Sequence, residues 1–224
     1  MDASFWIGFV HIIIIDIVLS GDNAVVIGMA SRNLPYEQRR RAVLYGTAGA
    51  VGLRILLTAM ATWVLLIPYL KAIGGAVLAW IALKLLIGEG EDASDIKAGQ
   101  TLFAAVQTII IADFVMSLDN VLAVGGAAQG DFVLLLFGLG LSIPLLMIGS
   151  NAVAALMDRL PALVYIGACI LSYTAGTMII SEESIQQRIA PVSYYVDWVF
   201  PLLLTIVVLV IGLWWRKRLY HSIL

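Results

Sequence analysis

Seven apolar segments, separated by short hydrophilic gaps, constrain this chain more than any other feature. They cover roughly residues 5–30, 42–66, 69–88, 101–128, 132–157, 160–181 and 197–215. A transmembrane helix needs about 20 mostly apolar residues, because the hydrocarbon core of a bilayer is about 30 Å thick. Charged residues make up only 12% of the chain, against about 25% in a soluble domain. We therefore expect an all-α integral membrane protein with seven transmembrane helices embedded in the lipid bilayer.

Basic residues predict the orientation of these helices. The first gap, "SRNLPYEQRRR", contains four arginines, and the tail "WWRKRLYH" contains three basic residues. Cytoplasmic loops carry an excess of lysine and arginine. The N-terminus is therefore predicted outside and the C-terminus in the cytoplasm, with the protein in the plasma membrane. The net charge of −2 provides no general attraction to nucleic acid, and the single cysteine excludes an internal disulfide.

A polar motif occurs twice within the apolar segments, as "IIDIVLSGDNAVVIGMA" and as "IADFVMSLDNVLAVGGA". Four polar identities recur at a constant offset, with Asp16, Ser20, Asp22 and Asn23 matching Asp113, Ser117, Asp119 and Asn120. Each repeat contains three predicted helices, so the second copy enters the membrane from the opposite face and its helix runs antiparallel to the first. This is the inverted-repeat plan of secondary transporters, which place the substrate site at the repeat interface near the bilayer midplane.

The predicted domain organisation follows from the repeats. Residues 1–88 form the first three-helix repeat, 89–100 a cytoplasmic linker and 101–181 the second three-helix repeat. Residues 182–224 form an outer loop, a seventh helix and a basic cytoplasmic tail. Glu182 and Glu183, at the outer end of the sixth segment, are expected to be solvated.

The motif aspartates need compensation, because each charged side chain at the bilayer centre costs about 2.5–3.5 kcal/mol. Protonation, a bound cation, or the embedded Arg54 and Lys84 can supply it. Arg54 and Lys84 are therefore predicted to balance charge. For each, a structural role as a counter-ion and a role in the transport mechanism are equally compatible with the sequence. We predict that Arg54 pairs with Asp16 or Asp22 in the empty site and that a dication replaces it on loading.

The motif side chains predict the chemistry of the substrate. Carboxylate, amide and hydroxyl oxygens suit hard or borderline divalent cations, of which manganese, magnesium and calcium fit best. Zinc, copper and nickel prefer more imidazole or thiolate than the motifs provide. Spacing alone does not choose among the three fitting metals, and no organic cofactor is expected.

The two motif copies, the "GLRILL" run around Arg54 and the "WIALKLL" run around Lys84 resemble the TerC family of membrane proteins over about residues 5–181. The similarity is to the YjbE-like branch of this family, within the LysE superfamily of exporters. The resemblance implies seven transmembrane helices, export of manganese or related divalent cations and, in some members, metal supply to secreted enzymes. The site positions it implies in this chain are Asp16, Asp22, Asn23, Asp113, Asp119 and Asn120. Other branches often have glutamate where this chain has Asp16 and Asp113, so the ligand arm here is one methylene shorter.

The leading hypothesis is a divalent cation exporter, for manganese before calcium or magnesium, that works by alternating access and is not an enzyme. The chain lacks a nucleotide-binding motif, so proton antiport through the same aspartates is the expected coupling. A homo-oligomer and secreted metalloenzyme recipients are compatible with the sequence. Alternatives are an exporter of amino acids or other organic cations, a metal-binding subunit without transport, and an intramembrane aspartyl protease. Against the protease, neither Asp16 nor Asp113 follows a tyrosine.

Overall fold

The computed structural model describes residues 10, 21–64, 66–87, 98–128, 132–189 and 193–221 of the 224-residue chain. Within these ranges the regular structure is entirely helical. The helices are α1 (Gly21–Ser31), α2 (Tyr36–Ala59), α3 (Ala61–Val64), α4 (Leu70–Ile87), α5 (Ala98–Ala128), α6 (Phe132–Arg159), α7 (Ala162–Ile180), α8 (Glu183–Ile189) and α9 (Ser193–His221). The predicted all-α fold is confirmed.

Five stretches of the described helices are long and apolar enough to cross a membrane. They are Tyr36–Ala59, Leu70–Ile87, Leu139–Arg159, Ala162–Ile180 and Tyr195–Arg216. Each overlaps one of the predicted apolar segments, and α5 adds a shorter apolar stretch at Leu102–Leu118. The integral membrane character predicted from composition is therefore supported helix by helix.

The start of α2 differs from its predicted position at residue 42. The helix begins at Tyr36, directly after Pro35, and its first two turns contain the arginines at 39–41. Proline is well tolerated at the start of a helix, because the N–H group that it lacks would have no acceptor within the helix. Hydropathy locates the apolar part of a helix and misses the polar turns that precede it.

The helices assemble into two compact units. Unit 1 comprises Met1–Ile67 and Leu102–Ala155, and unit 2 comprises Pro68–Thr101 and Leu156–Leu224. Unit 1 therefore holds α1, α2, α3 and most of α5 and α6, whereas unit 2 holds α4, α7, α8 and α9. Each unit draws helices from both halves of the sequence.

Small residues allow α2 and α5 to approach closely in unit 1. Ala42 packs with Ala105, and a Cβ on Gly46 would lie 2.8 Å from the side chain of Ile109. Later positions of α2 meet later positions of α5, so these two helices run in the same direction. The turn at residues 32–35 joins α1 to α2, and α1 therefore runs opposite to both.

An apolar cluster marks the level at which these three helices meet. It consists of Ile27 on α1, Val43 on α2 and Ile109 on α5, which are 3%, 0% and 1% exposed. We call this cluster the apolar layer, and it sets the relative register of the helices that carry the polar motifs.

Unit 2 is a bundle of α4, α7 and α9, packed at glycines. A Cβ on Gly75 of α4 would lie 2.6 Å from the carbonyl oxygen of Ala175, and one on Gly176 of α7 would lie 2.5 Å from Cα of Pro201. The start of α4 thus meets the end of α7, and the end of α7 meets the early part of α9. Consequently α7 runs antiparallel to α4 and α9.

A buried carboxylate closes one end of this bundle. Glu182 is 7% exposed, and its Oε1 and Oε2 accept hydrogen bonds from the backbone N–H groups of Tyr69 at 3.2 Å and Lys71 at 3.1 Å. The expectation of a solvated Glu182 is wrong. The first N–H groups of a helix have no acceptors within the helix, and the carboxylate of Glu182 provides acceptors at the start of α4. Its neighbour Glu183 is exposed, as expected.

Candidate metal site in unit 1

A buried ion pair connects the second motif copy to α2. Arg54 is 2% exposed, and its Nη2 lies 2.5 Å from Oδ1 of Asp113. Its Nε donates to Oγ of Ser117 at 3.0 Å, and that hydroxyl donates to Oδ2 of Asp113 at 3.2 Å. Asp113 and Ser117 are four residues apart on α5, so they lie on the same face of the helix. Two predicted site residues and one predicted charge-balancing residue thus form one hydrogen-bonded network.

Among the described residues, Arg54 pairs with Asp113 of the second motif copy. The pairing with Asp16 or Asp22 of the first copy stays a prediction. Parallel packing of α2 and α5 places the second half of α2 level with Asp113, and sequence patterns do not reveal which helix lies beside α2. Asp16 and Ser20 lie outside the described residues.

One face of α2 carries a further polar residue that the sequence analysis did not select. Thr47 lies seven residues, about two helical turns, before Arg54, and its side chain is fully buried. Its Oγ1 has no hydrogen-bond partner within the part of the chain that the structure describes. Thr58, on the same face, donates instead to the carbonyl oxygen of Arg54 at 2.8 Å. The available signal was the helical spacing between Thr47 and Arg54.

Asn23 of the first motif copy is the second buried polar residue without a partner. It is 1% exposed, and neither Oδ1 nor Nδ2 forms a hydrogen bond among the described residues. Leaving a buried polar group unsatisfied costs about 1–3 kcal/mol, and a membrane core offers no water to satisfy it. Among the described residues, the amide of Asn23 therefore has unused hydrogen-bonding capacity.

The packing register places these side chains at one level. Asn23, Thr47 and Asp113 each lie four residues from a member of the apolar layer, and because α1 runs opposite to α2 and α5, all three lie on the same side of it. Four residues correspond to about 6 Å of helix rise. We call Asn23, Thr47 and Asp113 the polar layer, which contains two groups with unused hydrogen-bonding capacity and one charged group.

Asp22 adds a second negative charge near this layer. It is half-buried, and its Oδ1 accepts the backbone N–H of Asn23 at 3.0 Å. Together with Asp113 and Arg54, it brings three ionisable side chains to this part of unit 1. When ionised, the two aspartates therefore carry one more charge than Arg54 balances, a surplus that favours a cation.

The other predicted site residues are placed less completely. The side chain of Asp119 lies outside the described residues, whereas Asn120 is half-buried and shares a face of α5 with Asp113 through its spacing of seven residues. Lys84 belongs to unit 2, where its Nζ lies 5.7 Å from the centre of the Trp80 ring. The charge-balancing role of Lys84 stays a prediction.

The donor chemistry of the site is dominated by oxygen. Within the described ranges, no group of three or more His, Cys, Asp or Glu side chains is arranged to hold a metal. Any ion bound here by the described residues would therefore combine Asp113 with the amide oxygen of Asn23 and hydroxyl groups such as those of Thr47 and Ser117. Such oxygen donors are the ligands of hard cations.

Comparison with known proteins places this architecture among membrane proteins. The sequence profile of the integral membrane protein TerC family matches residues 1–219. The chain is 43% identical over 185 residues to the uncharacterized membrane protein YjbE of Bacillus subtilis strain 168, across 83% of this chain and 84% of YjbE. It is 27% identical over 161 residues to YceF of the same organism, across 68% and 62% of the two chains. It is also 23% identical over 201 residues to the inner membrane protein YgdQ of Escherichia coli K12, across 82% and 84%. No solved structure matches this chain.

Proposed function

This chain belongs to the TerC family of integral membrane proteins, and we propose that it exports divalent metal cations, with manganese as the preferred substrate. The observation that carries the proposal is the polar layer. It combines a buried carboxylate, Asp113, with Asn23 and Thr47, which have no hydrogen-bond partners in the part of the chain that the structure describes, inside an apolar protein. A site of this composition has unused oxygen donors and surplus negative charge, and a hard dication uses both.

The substrate site is proposed to extend over both motif copies. Beyond the polar layer it includes Asp22, Ser117 and Asn120, together with Asp16, Ser20 and Asp119. Calcium and magnesium are the alternative substrates, because the same oxygen ligands serve all three ions.

Arg54 is proposed to act as a counter-charge that the substrate displaces. In the arrangement described, the guanidinium occupies Asp113 Oδ1 and Ser117 Oγ, which are atoms that a dication would coordinate. Exchange of one cation for another avoids leaving Asp113 as an uncompensated buried charge, which is strongly unfavourable. The charge of Arg54 therefore lowers the net negative charge of the empty carrier, which favours a change of its orientation.

An inverted-repeat, seven-helix carrier is the proposed framework for this exchange. The antiparallel directions of α1 and α5, which carry parts of the two motif copies, support it. Basic residues after the first motif helix and in the tail support an outside N-terminus, a cytoplasmic C-terminus and residence in the plasma membrane. Alternating access at the repeat interface would then expose the site to each side in turn.

Export requires an energy source. Moving a dication outward against 100 mV, inside negative, costs about 4.6 kcal/mol, at about 2.3 kcal/mol for each charge. Proton antiport through the site aspartates is the proposed coupling. Flux into vesicles should then stop when the pH gradient is collapsed.

The test is manganese uptake into proteoliposomes that contain an entrapped metal-sensitive dye. Uptake should be lost in the Asp16→Ala, Asp113→Ala double variant and retained in Glu183→Gln, a control that removes an exposed charge. Uptake by the double variant at the wild-type rate would refute the proposal. Metal binding without flux in the wild-type protein would instead indicate a binding subunit.

An exporter of organic cations, as in the LysE superfamily, is the second candidate. The specific observation in its favour is that Asp113 already binds a guanidinium, that of Arg54. Free arginine should then compete with manganese for transport. An aspartyl protease needs two carboxyl groups that share a proton, whereas Asp113 is paired with a cation, so we propose no enzymatic role.

A further inference from the structure

Cationic side chains and aromatic rings gather at one end of unit 2. Lys84, in the last turn of α4, lies over the ring of Trp80. Near the end of α9, the guanidinium of Arg218 lies 4.3 Å from the centre of the Trp214 ring. Both pairs are spaced four residues apart, which places each cation and its ring on one helix face.

A third cation joins this group from the same end of α9. Nη1 of Arg216 donates to the hydroxyl of Tyr165 at 2.9 Å, and its guanidinium lies 5.8 Å from the centre of the Tyr165 ring. Tyr165 is in the first turn of α7, which runs antiparallel to α4 and α9. The basic groups of α4 and α9 therefore lie at the same end of the bundle.

A cavity opens between α4 and α9 at this end. Its lining residues are Trp80, Leu83, Lys84, Ile87 and Trp215. Its geometry depends on Gly212, one turn before Trp215, because a Cβ there would collide with the side chain of Leu86. The absence of a side chain at Gly212 thus allows α9 to pack closely against Leu86 of α4.

The lining has two chemical parts. Trp80 and Trp215 are 61% and 50% exposed, so their rings are accessible from the membrane, and tryptophan is enriched where acyl chains meet headgroups. Lys84 supplies a cation beside these rings, and Arg216 and Arg218 add charge within one turn of Trp215. Basic groups between transmembrane helices at the interface are complementary to anionic lipid headgroups.

We propose that this cavity is a binding site for an anionic phospholipid. In this site the phosphate lies beside Lys84 and the arginines of α9. The part of an acyl chain next to the headgroup packs against Trp80, Leu83 and Ile87. The inference uses only residues of unit 2 and is independent of the proposed transport function.

Native mass spectrometry of the purified full-length protein tests the proposal. It measures how much phosphatidylglycerol and how much phosphatidylcholine, with identical acyl chains, the protein retains. The wild-type protein should retain phosphatidylglycerol in preference. Lys84→Met should weaken that retention about fivefold, corresponding to about 1 kcal/mol for one basic group near a membrane surface, with phosphatidylcholine unaffected. Lys71→Met is the matched control, because it removes the same charge from the other end of α4 and should preserve the preference.

Two further variants keep the test decisive if Lys84→Met fails to fold. Lys84→Arg keeps the charge and should retain phosphatidylglycerol, whereas Arg218→Gln, at an exposed position, should weaken retention. Inorganic phosphate should not displace the lipid, because it lacks the acyl chain. Equal retention of the two lipids by the wild-type protein, equal losses in Lys71→Met and Lys84→Met, or displacement by phosphate would each overturn the proposal.

Discussion

The two units bury polar groups in different ways. In unit 2, the described residues that are both buried and polar, Ser172, Glu182 and Thr205, all take part in hydrogen bonds, and among the described side chains only Oδ1 of the half-buried Asp197 is buried without a partner. Unit 1 buries the Arg54–Asp113 pair and leaves Asn23 and Thr47 without partners within the described residues.

This difference separates a scaffold from a site. In a membrane, each polar group that a helix carries inward must find a partner in the protein, because lipid supplies none. The buried polar residues that the structure describes in unit 2 meet this requirement, with the exception of Oδ1 of the half-buried Asp197, and the helices of unit 2 pack through glycines. Unit 1 does not meet it among its described groups, and that unused hydrogen-bonding capacity is what a substrate would occupy. Perturbation of unit 1 should therefore respond to metal, whereas perturbation of unit 2 should not.

The largest expected effect follows from breaking the ion pair of unit 1. Asp113→Ala removes the carboxylate that pairs with the buried guanidinium of Arg54, and removal of one partner from a buried pair costs about 3–5 kcal/mol. Unfolding of the metal-free protein in detergent measures the loss. A loss below about 1 kcal/mol would contradict the assigned role of the pair.

The partner variants complete this test. The Arg54→Leu, Asp113→Leu double variant should recover most of the stability that Asp113→Ala loses, since replacing both members of a buried pair by apolar residues is often neutral. The double variant should not transport metal. Arg54→Leu alone should remain inserted and slow turnover more than it weakens metal binding, because only the empty carrier needs the guanidinium. Wild-type turnover in Arg54→Leu would exclude the proposed exchange of counter-charges.

Steric packing should dominate the corresponding experiment in unit 2. Gly176→Ala places a Cβ 2.5 Å from Cα of Pro201, so α7 and α9 must separate, and overpacking of this kind costs about 1–3 kcal/mol. Metal binding should be unchanged. Gly52→Ala is the control, because a Cβ there meets nothing within 4 Å and alanine favours a helix over glycine by about 1 kcal/mol. Equal destabilisation by both substitutions would show that the close contact is unimportant.

The sequence predicted more of the helices than of the contacts between them. Apolar segments located the membrane-spanning helices to within several residues, since burial in lipid depends on composition over a long window. The motif repeat selected Asp113 and Ser117, which the structure joins by a hydrogen bond on one face of α5. It did not reveal that Arg54 would meet Asp113, because that contact depends on which helix packs beside α2. Glu182 was misassigned for the same reason, as its hydrogen-bonding partners lie 111 and 113 residues away in the chain.

Adjacent glutamates offer a smaller test of the scaffold. Glu182→Ala removes the acceptor for the N–H groups of Tyr69 and Lys71, and loss of a helix cap costs about 0.5–2 kcal/mol. Glu183→Ala removes the same side chain from an exposed position and should change the unfolding free energy by less than about 0.5 kcal/mol. The two variants should differ in unfolding free energy by the same amount in the presence and in the absence of manganese. A metal-dependent difference would mean that Glu182 belongs to the substrate path.

The smallest expected effect distinguishes an unsatisfied hydroxyl from a satisfied one. Thr47→Val replaces the unpartnered Oγ1 by a methyl group of similar size, so the metal-free protein should be unchanged or stabilised by up to about 1 kcal/mol. Thr205→Val in unit 2 removes a hydroxyl that donates to the carbonyl oxygen of Pro201 at 2.8 Å, and should destabilise the protein by about 1 kcal/mol.

Because manganese stabilises only the state that binds it, its addition should raise the unfolding temperature of Thr205→Val as much as that of the wild-type protein. The rise should be smaller in Thr47→Val, since one oxygen donor of the polar layer is missing. An undiminished rise in Thr47→Val would remove Thr47 from the site and leave Asn23 as its only described group with unused hydrogen-bonding capacity.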